Sequence, residues 1–337
     1  MLAAPDGCSA SIVRAGSAAK EEILLCLSVA VCSAAEILCS ISCLGGRAPM
    51  ARLCSVNGNT HGMGCAMNTR AGNNKTTDRF DWLPLDWQPG QSLRRHESGV
   101  VLGRFLGAEL SSVYQPIIDV ASGQAIGYEA FVRCHAGGEA ALSPWNLFSL
   151  VADDATLVGL DRLCRTLHVL NDLRTEEDEL LFLNVHGRLL AAVSEDHGAA
   201  FRRVLDVLQV RSGNVVIETP EVACRDLRLL SFVHANYRIN GFRVAANVAS
   251  LADAEAVLGQ MRPNFIKIDV RYLRNGDERG RLVELAAVHG TSVVFTRVAQ
   301  GELLDELRAA TGVLAQGHAI AEAAPPRRES IRQFRAA

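Results

Sequence analysis

From residue 99 onward the chain alternates short apolar runs with longer amphipathic ones. SSVYQPIID, AIGYEAFVRC, LLFLNV, NVVIET, FRVAA, NFIKID, TSVVFT and GVLAQGHAI have the length and β-branched content of buried strands. Between them, PWNLFSLVADDATLVGLDRLCRTLHVLNDL, AAFRRVLDVLQV and RGRLVELAAVHG carry apolar residues at i, i+3, i+4 and i+7, the period of a helix packed on one face. Strands and helices alternating in this way predict an α/β fold, a (β/α)8 TIM-like barrel, an architecture that takes about 250 residues. A doubly wound open sheet is the alternative, weakened because no GxGxxG follows the first strand.

Upstream the pattern changes. Residues 55–98 are rich in Asn, Gly, Thr, Pro and Trp, with no sustained period, and read as a linker in which Trp82 and Trp87 supply a docking or packing contact. Residues 1–54 read as an apolar, Cys-rich extension. Within them 23–44 has the length of a membrane span, but Glu36 interrupts it, and Glu21 and Glu22 precede it where a signal peptide carries positive charge. A hydrophobic helix on a cytoplasmic protein is the expectation, with a membrane segment the lesser reading. The barrel is expected over 99–325, followed by a tail at 326–337.

Composition narrows the partners. Seven of the ten cysteines fall at or before Cys65, none in a CxxC pair or a zinc spacing, so they read as reduced thiols. Net charge is −3, and no run of Lys or Arg could track a phosphate polymer. A nucleic-acid polymer is therefore excluded as a partner, while a small nucleotide stays open.

In a barrel of this kind, chemistry sits where strands meet the loops that follow them. Those positions are Glu129, Asn184, Glu218, Ala246 with Asn247, Asp269, Thr296 and Gln316. Glu129, Asn184, Glu218 and Asp269 offer oxygen donors that suit a hard divalent cation. Each alone could be a helix cap or turn residue. Their recurrence on successive strands argues for a site, because capping does not require a polar group on the strand itself.

These residues stand in recognisable blocks. YQPIIDVASGQAIGYEAFVR resembles the opening of the EAL family, the cyclic di-GMP phosphodiesterase domains, and the likeness continues in order through SPWNLFSLVAD, LFLNV, VVIETPE, FIKID and LAQG. It covers roughly residues 105–322. The resemblance implies a barrel that binds cyclic di-GMP across its open end, with two Mg2+ or Mn2+ ions activating a water. By position it implies that Glu129, Asn184, Glu218 and Asp269 are metal ligands. Lys267 would lie near the attacking water, and Gln316, Gln115 and Arg133 match further residues of the site, the last two facing the nucleotide.

The departures from the family pattern concern the metals. Counted back from Lys267 without a gap, Ala246 and Asn247 stand on the two aspartates of the family's DDFG segment. VVFTRVAQ aligns with VVAEGVET, so that Thr296 and Ala299 replace glutamates. A two-metal reaction needs its ions about 3.5–4 Å apart in a shared cage of ligands. The residues left suit at most one weakly held Mg2+ or Mn2+. Asp253, Glu255 and Glu302 lie nearby in sequence, with nothing to suggest that they point inward. The expectation is a catalytically inactive module that binds cyclic di-GMP and signals its occupancy. A nucleotide-independent regulator of a protein partner is the alternative, residual hydrolysis ranks third, and a dimer stays open.

Overall fold

The computed structural model describes residues 80–85, 90–135, 144–149, 151–172, 178–192, 196–308 and 312–326. Two compact units divide the chain, 1–70 and 71–337, and the described residues belong to the second. The apolar extension with its membrane question, the seven cysteines up to Cys65 and Trp87 lie outside the described residues.

The strands are β1 (Ser92–Arg95), β2 (Val101–Phe105), β3 (Ala108–Asp119), β4 (Ala125–His135), β5 (Leu180–Asn184), β6 (Val215–Thr219), β7 (Arg243–Val248), β8 (Phe265–Asp269), β9 (Ser292–Thr296) and β10 (Val313–Ala315). The helices are α1 (Pro144–Ser149), α2 (Asp154–Leu170), α3 (Gly187–Ala192), α4 (Ala199–Val207), α5 (Leu227–Ile239), α6 (Leu251–Gln260), α7 (Gly276–Val288) and α8 (Gly301–Leu307).

Strands β4 to β10 run parallel, each paired with the next, and β3 pairs antiparallel with both β4 and β10. The sheet therefore closes on itself as an eight-stranded barrel, which removes the open-sheet alternative. Closure through one antiparallel strand departs from the all-parallel barrel and follows from the chain order: β3 and β4 are joined by the tight turn at Val120–Gln124, which only an antiparallel pair permits.

Alternation along the strands separates two apolar layers. Ile117, Leu180, Phe182, Val216, Ala245, Phe265, Val294 and Leu314 fill the barrel interior. Their immediate neighbours, such as Leu181, Ile217, Ile266 and Phe295, face the helices. Within the interior layer Phe182 and Phe265 meet at 5.2 Å between ring centroids, beside the small Ala245.

Two sequence expectations change. The linker expected over 55–98 includes a strand: β1 pairs with β2, which pairs with the start of β3. Phe80, Leu83 and Leu93 are buried in the same core as α2, and the Arg95 guanidinium lies 5.4 Å from the Phe80 ring. Trp82 stays 37% exposed beside Phe80. The long helical run beginning at PWNLF breaks into α1 and α2 because the Asp153 carboxylate accepts from Thr156 N (2.8 Å) and starts a new helix.

Gly317, just past β10, packs against the backbone of the loop that follows β9. A Cβ there would sit 2.2 Å from the Val298 carbonyl oxygen. Gly317→Ala is expected to lower stability by about 2–3 kcal/mol, read as a lower urea midpoint at an unchanged denaturant slope; an unshifted midpoint would contradict the packing.

Candidate functional site

Interior parity decides which residues reach the barrel mouth. One step of two residues beyond the interior layer leads from Phe182 to Asn184, from Val216 to Glu218, from Ala245 to Asn247, from Phe265 to Lys267, from Val294 to Thr296 and from Leu314 to Gln316. A second step along β8 reaches Asp269. Glu129 on β4 lies in register with Phe182 of β5 and with Gln115 of β3.

Lys267 sits at the centre, 2% exposed, and donates to Glu129 Oε2 at 2.7 Å and to Glu218 Oε1 at 2.6 Å. Its Nζ lies 5.4 Å from the Phe182 ring, so the ammonium caps the interior layer. The Asn184 amide donates to the other oxygen of Glu129 at 2.7 Å. Asn247 donates to Thr219 O at 3.1 Å and reaches Glu218 Oε2 at 3.4 Å, a contact that an aspartate at this position would replace by repulsion. Burial alone would depress the Lys267 ammonium, but the charges of Glu129 and Glu218 outweigh it and hold the group above the ordinary lysine value. Burial first, then the charge of Glu129, pushes the Glu218 carboxyl up to about 7, against the pull of Lys267.

Asp269 belongs to a second cluster. Arg271, in the turn after β8, meets its carboxylate as a fork, with Nε at 3.0 and 3.1 Å and Nη2 at 2.7 Å. Arg297, in the loop after β9, approaches through Nε at 3.3 Å. Burial would raise the Asp269 carboxyl, but the hydrogen bonds and charge of Arg271, then the charge of Arg297, hold it below the ordinary carboxylate value.

The remaining expected residues are placed as follows. Gln115 donates to Ala321 O at 2.9 Å, and Arg133, half-buried farther along the interior-facing side of β4, donates to Val132 O at 3.3 Å. Gln316 is buried, and its amide nitrogen finds no protein partner. Thr296 lies in register with Asp269, and Ala299 is exposed in the loop leading to α8. Ala246 needs correction. It is fully buried in the layer between sheet and helices, in register with Ile266, so a longer side chain there would enter that core. Of the pair, Asn247 alone faces the interior.

Arginines 271 and 297 were missed from the sequence. Arg297 carried a readable signal, since it stands where the aligned VVAEGVET segment has glycine, and its φ is +58°. Arg271 carried none: its role comes from the turn that folds it back onto a residue two positions earlier. Beside the lysine cluster opens a cavity of about 860 Å3, bounded at the strand ends by Glu129 and Asn184 and walled by Phe131, Phe148, His186, Arg188, Val222 and Arg225. Phe148 and His186 stack face to face at 5.0 Å.

The donors expected to share one ion are thus divided, three around Lys267 and Asp269 with two arginines. Among the described residues, no three His, Cys, Asp or Glu side chains gather as a metal site. Asp269 is held by guanidiniums, and Asn247 and Thr296 bring no carboxylate, so these residues do not fit a pair of divalent cations.

A closed barrel with a charged cluster at the carboxyl ends of its parallel strands defines the class. The EAL domain matches residues 102–323, and the chain belongs to the EAL family. Among solved structures it is similar to the EAL enzyme Bd1971 bound to cAMP and cyclic di-GMP (17% identity, TM-score 0.55, 64% of this chain and 62% of that one). It is also similar to Bacillus subtilis YkuI in complex with cyclic di-GMP and calcium (21%, 0.54, 64% and 55%). The FimX EAL domain of Xanthomonas citri in complex with cyclic di-GMP gives 21%, 0.54, 67% and 90%. At these identities the likeness establishes the fold, and the chain spans less than two thirds of Bd1971 and YkuI. No functionally curated protein matches. Among the described residues no helix is long and apolar enough to cross a membrane.

Two outcomes follow from the lysine cluster. Glu218 titrates from about 4.5 when unfolded to about 7 when folded, so its contribution is fully present below the lower value and lost as pH rises through the upper. Glu218→Gln is expected to flatten that decline, compared by urea unfolding with EDTA near pH 5 and about pH 8; an unchanged profile would contradict the assignment. Lys267→Met leaves two buried carboxyls facing one another, and is expected to cost about 3–5 kcal/mol at neutral pH and less in acid, where Glu218 takes up a proton. A loss independent of pH would count against it.

Proposed function

We propose that this barrel binds cyclic di-GMP without cutting it and acts as a regulatory module. The observation that carries this reading is the pair Asn247 and Thr296, an asparagine and a threonine at interior-facing strand ends where carboxylates would be needed to attract cations, beside an Asp269 already held by two arginines. Hydrolysis of a phosphodiester by paired ions asks the protein for a cage of negative oxygens. Here the cage lacks carboxylates at Asn247 and Thr296. Loss of a positioned acid or base alone lowers a rate by roughly 10²–10⁴-fold.

Groups that recognise a nucleotide without chemistry are retained. The buried Gln316 amide nitrogen has no protein partner, and Arg133 supplies a guanidinium farther along β4. The stacked Phe148 and His186 offer a surface on which a purine can lie. The solved relatives hold cyclic di-GMP, as their names state, which supports the same ligand here.

A protein partner responding to occupancy completes the reading. The test is equilibrium dialysis of the full chain with labelled cyclic di-GMP, followed by chromatography of the ligand after incubation with Mg2+ or Mn2+. Retention with the dinucleotide intact is expected. Linear product whose formation is abolished by Glu129→Ala would overturn the reading, as would no retention at tens of micromolar, the second outcome favouring a nucleotide-independent regulator.

A further inference from the structure

We propose that the guanidiniums of Arg271 and Arg297, gathered on Asp269, hold one phosphodiester of the bound dinucleotide, doing with side chains what a divalent cation does elsewhere. The inference rests on the nucleotide-binding reading of the same barrel mouth. Asp269 is 7% exposed, whereas the side chains of Arg271 and Arg297 are 66% and 62% exposed. The carboxylate therefore anchors two cations whose outer faces are turned to solvent at the mouth. Glu221 and Asp253 are the other carboxylates felt here. Burial first, then the charges of Asp269 and Asp253, raise the Glu221 carboxyl.

Local geometry supports the assignment independently of charge. Arg297 is held at φ +58°, a conformation that costs a residue with a Cβ about 1–2 kcal/mol. Such strain persists where the surrounding structure enforces it. The next residue, Val298, donates its N–H to Gln316 O at 3.1 Å, which ties the arginine loop to the strand end carrying the buried, unpartnered Gln316 amide. The two guanidiniums supply donors for phosphate oxygens, and Gln316 stands on the adjoining strand end.

Arg297→Gly provides an informative test, because glycine relieves the backbone while removing the cation. The full chain is titrated with labelled cyclic di-GMP in EDTA and in Mg2+, at low and high salt, beside Arg297→Gly and Arg271→Ala. Expected are wild-type binding that persists in EDTA, a loss of affinity of about 10- to 100-fold in each variant, a shallower salt dependence, and an Arg297→Gly thermal midpoint at or above wild type. Wild-type binding that requires Mg2+, or that survives unchanged in both variants, would overturn this inference and leave the nucleotide-binding reading standing. No wild-type binding in either medium would overturn both.

Discussion

One buried ammonium organises the mouth of this barrel. Lys267 has almost no contact with water, and its charge can exist there only because Glu129 and Glu218 accept from it at 2.7 and 2.6 Å. The converse also holds: two buried carboxylates brought together at the barrel mouth from β4 and β6 repel unless a cation lies between them. Removing charges from water is costly, and the attraction repays that cost only when geometry is good and the remaining lone pairs are satisfied. Asn184 and Asn247 supply that satisfaction, each through an amide that donates.

Closure of the sheet makes this arrangement possible. Parallel pairing fixes the register between neighbours, so Glu129 meets Phe182, Asn184 meets Glu218, and Asn247 meets Lys267. Interior residues below them form a dry floor, with Phe182 under the ammonium. The charged cluster is thus placed by the same alternation that builds the core. The second cluster obeys a different rule, because Arg271 and Arg297 come from the turn and loop beyond the strands and converge on the last interior-facing residue of β8.

This division explains how much the sequence disclosed. Strand periods, the ordered blocks from YQPIID to LAQG and the polar strand ends sufficed for the barrel and for the residues around Lys267, because both depend on local alternation. Facing was not legible at Ala246. Counting from Lys267 gives a position along the chain, but the side of the sheet follows from pairing with Ile266. The first hairpin was hidden because a four-residue strand in a Pro- and Gly-rich stretch has no period of its own, and it becomes a strand by pairing with β2. The grip of Arg271 on Asp269 depends on a turn whose course no pattern announces.

The proposed reading turns on Asn247 and Thr296, which bring no charge, and on Asp269, which two arginines already hold, so that a pair of cations has too few carboxylates to share. Electron paramagnetic resonance of the full chain titrated with Mn2+ in the presence of cyclic di-GMP tests it most directly. The account predicts the six-line spectrum of isolated manganese throughout, with no spin-coupled pair. A coupled spectrum growing to two manganese ions per chain would contradict it.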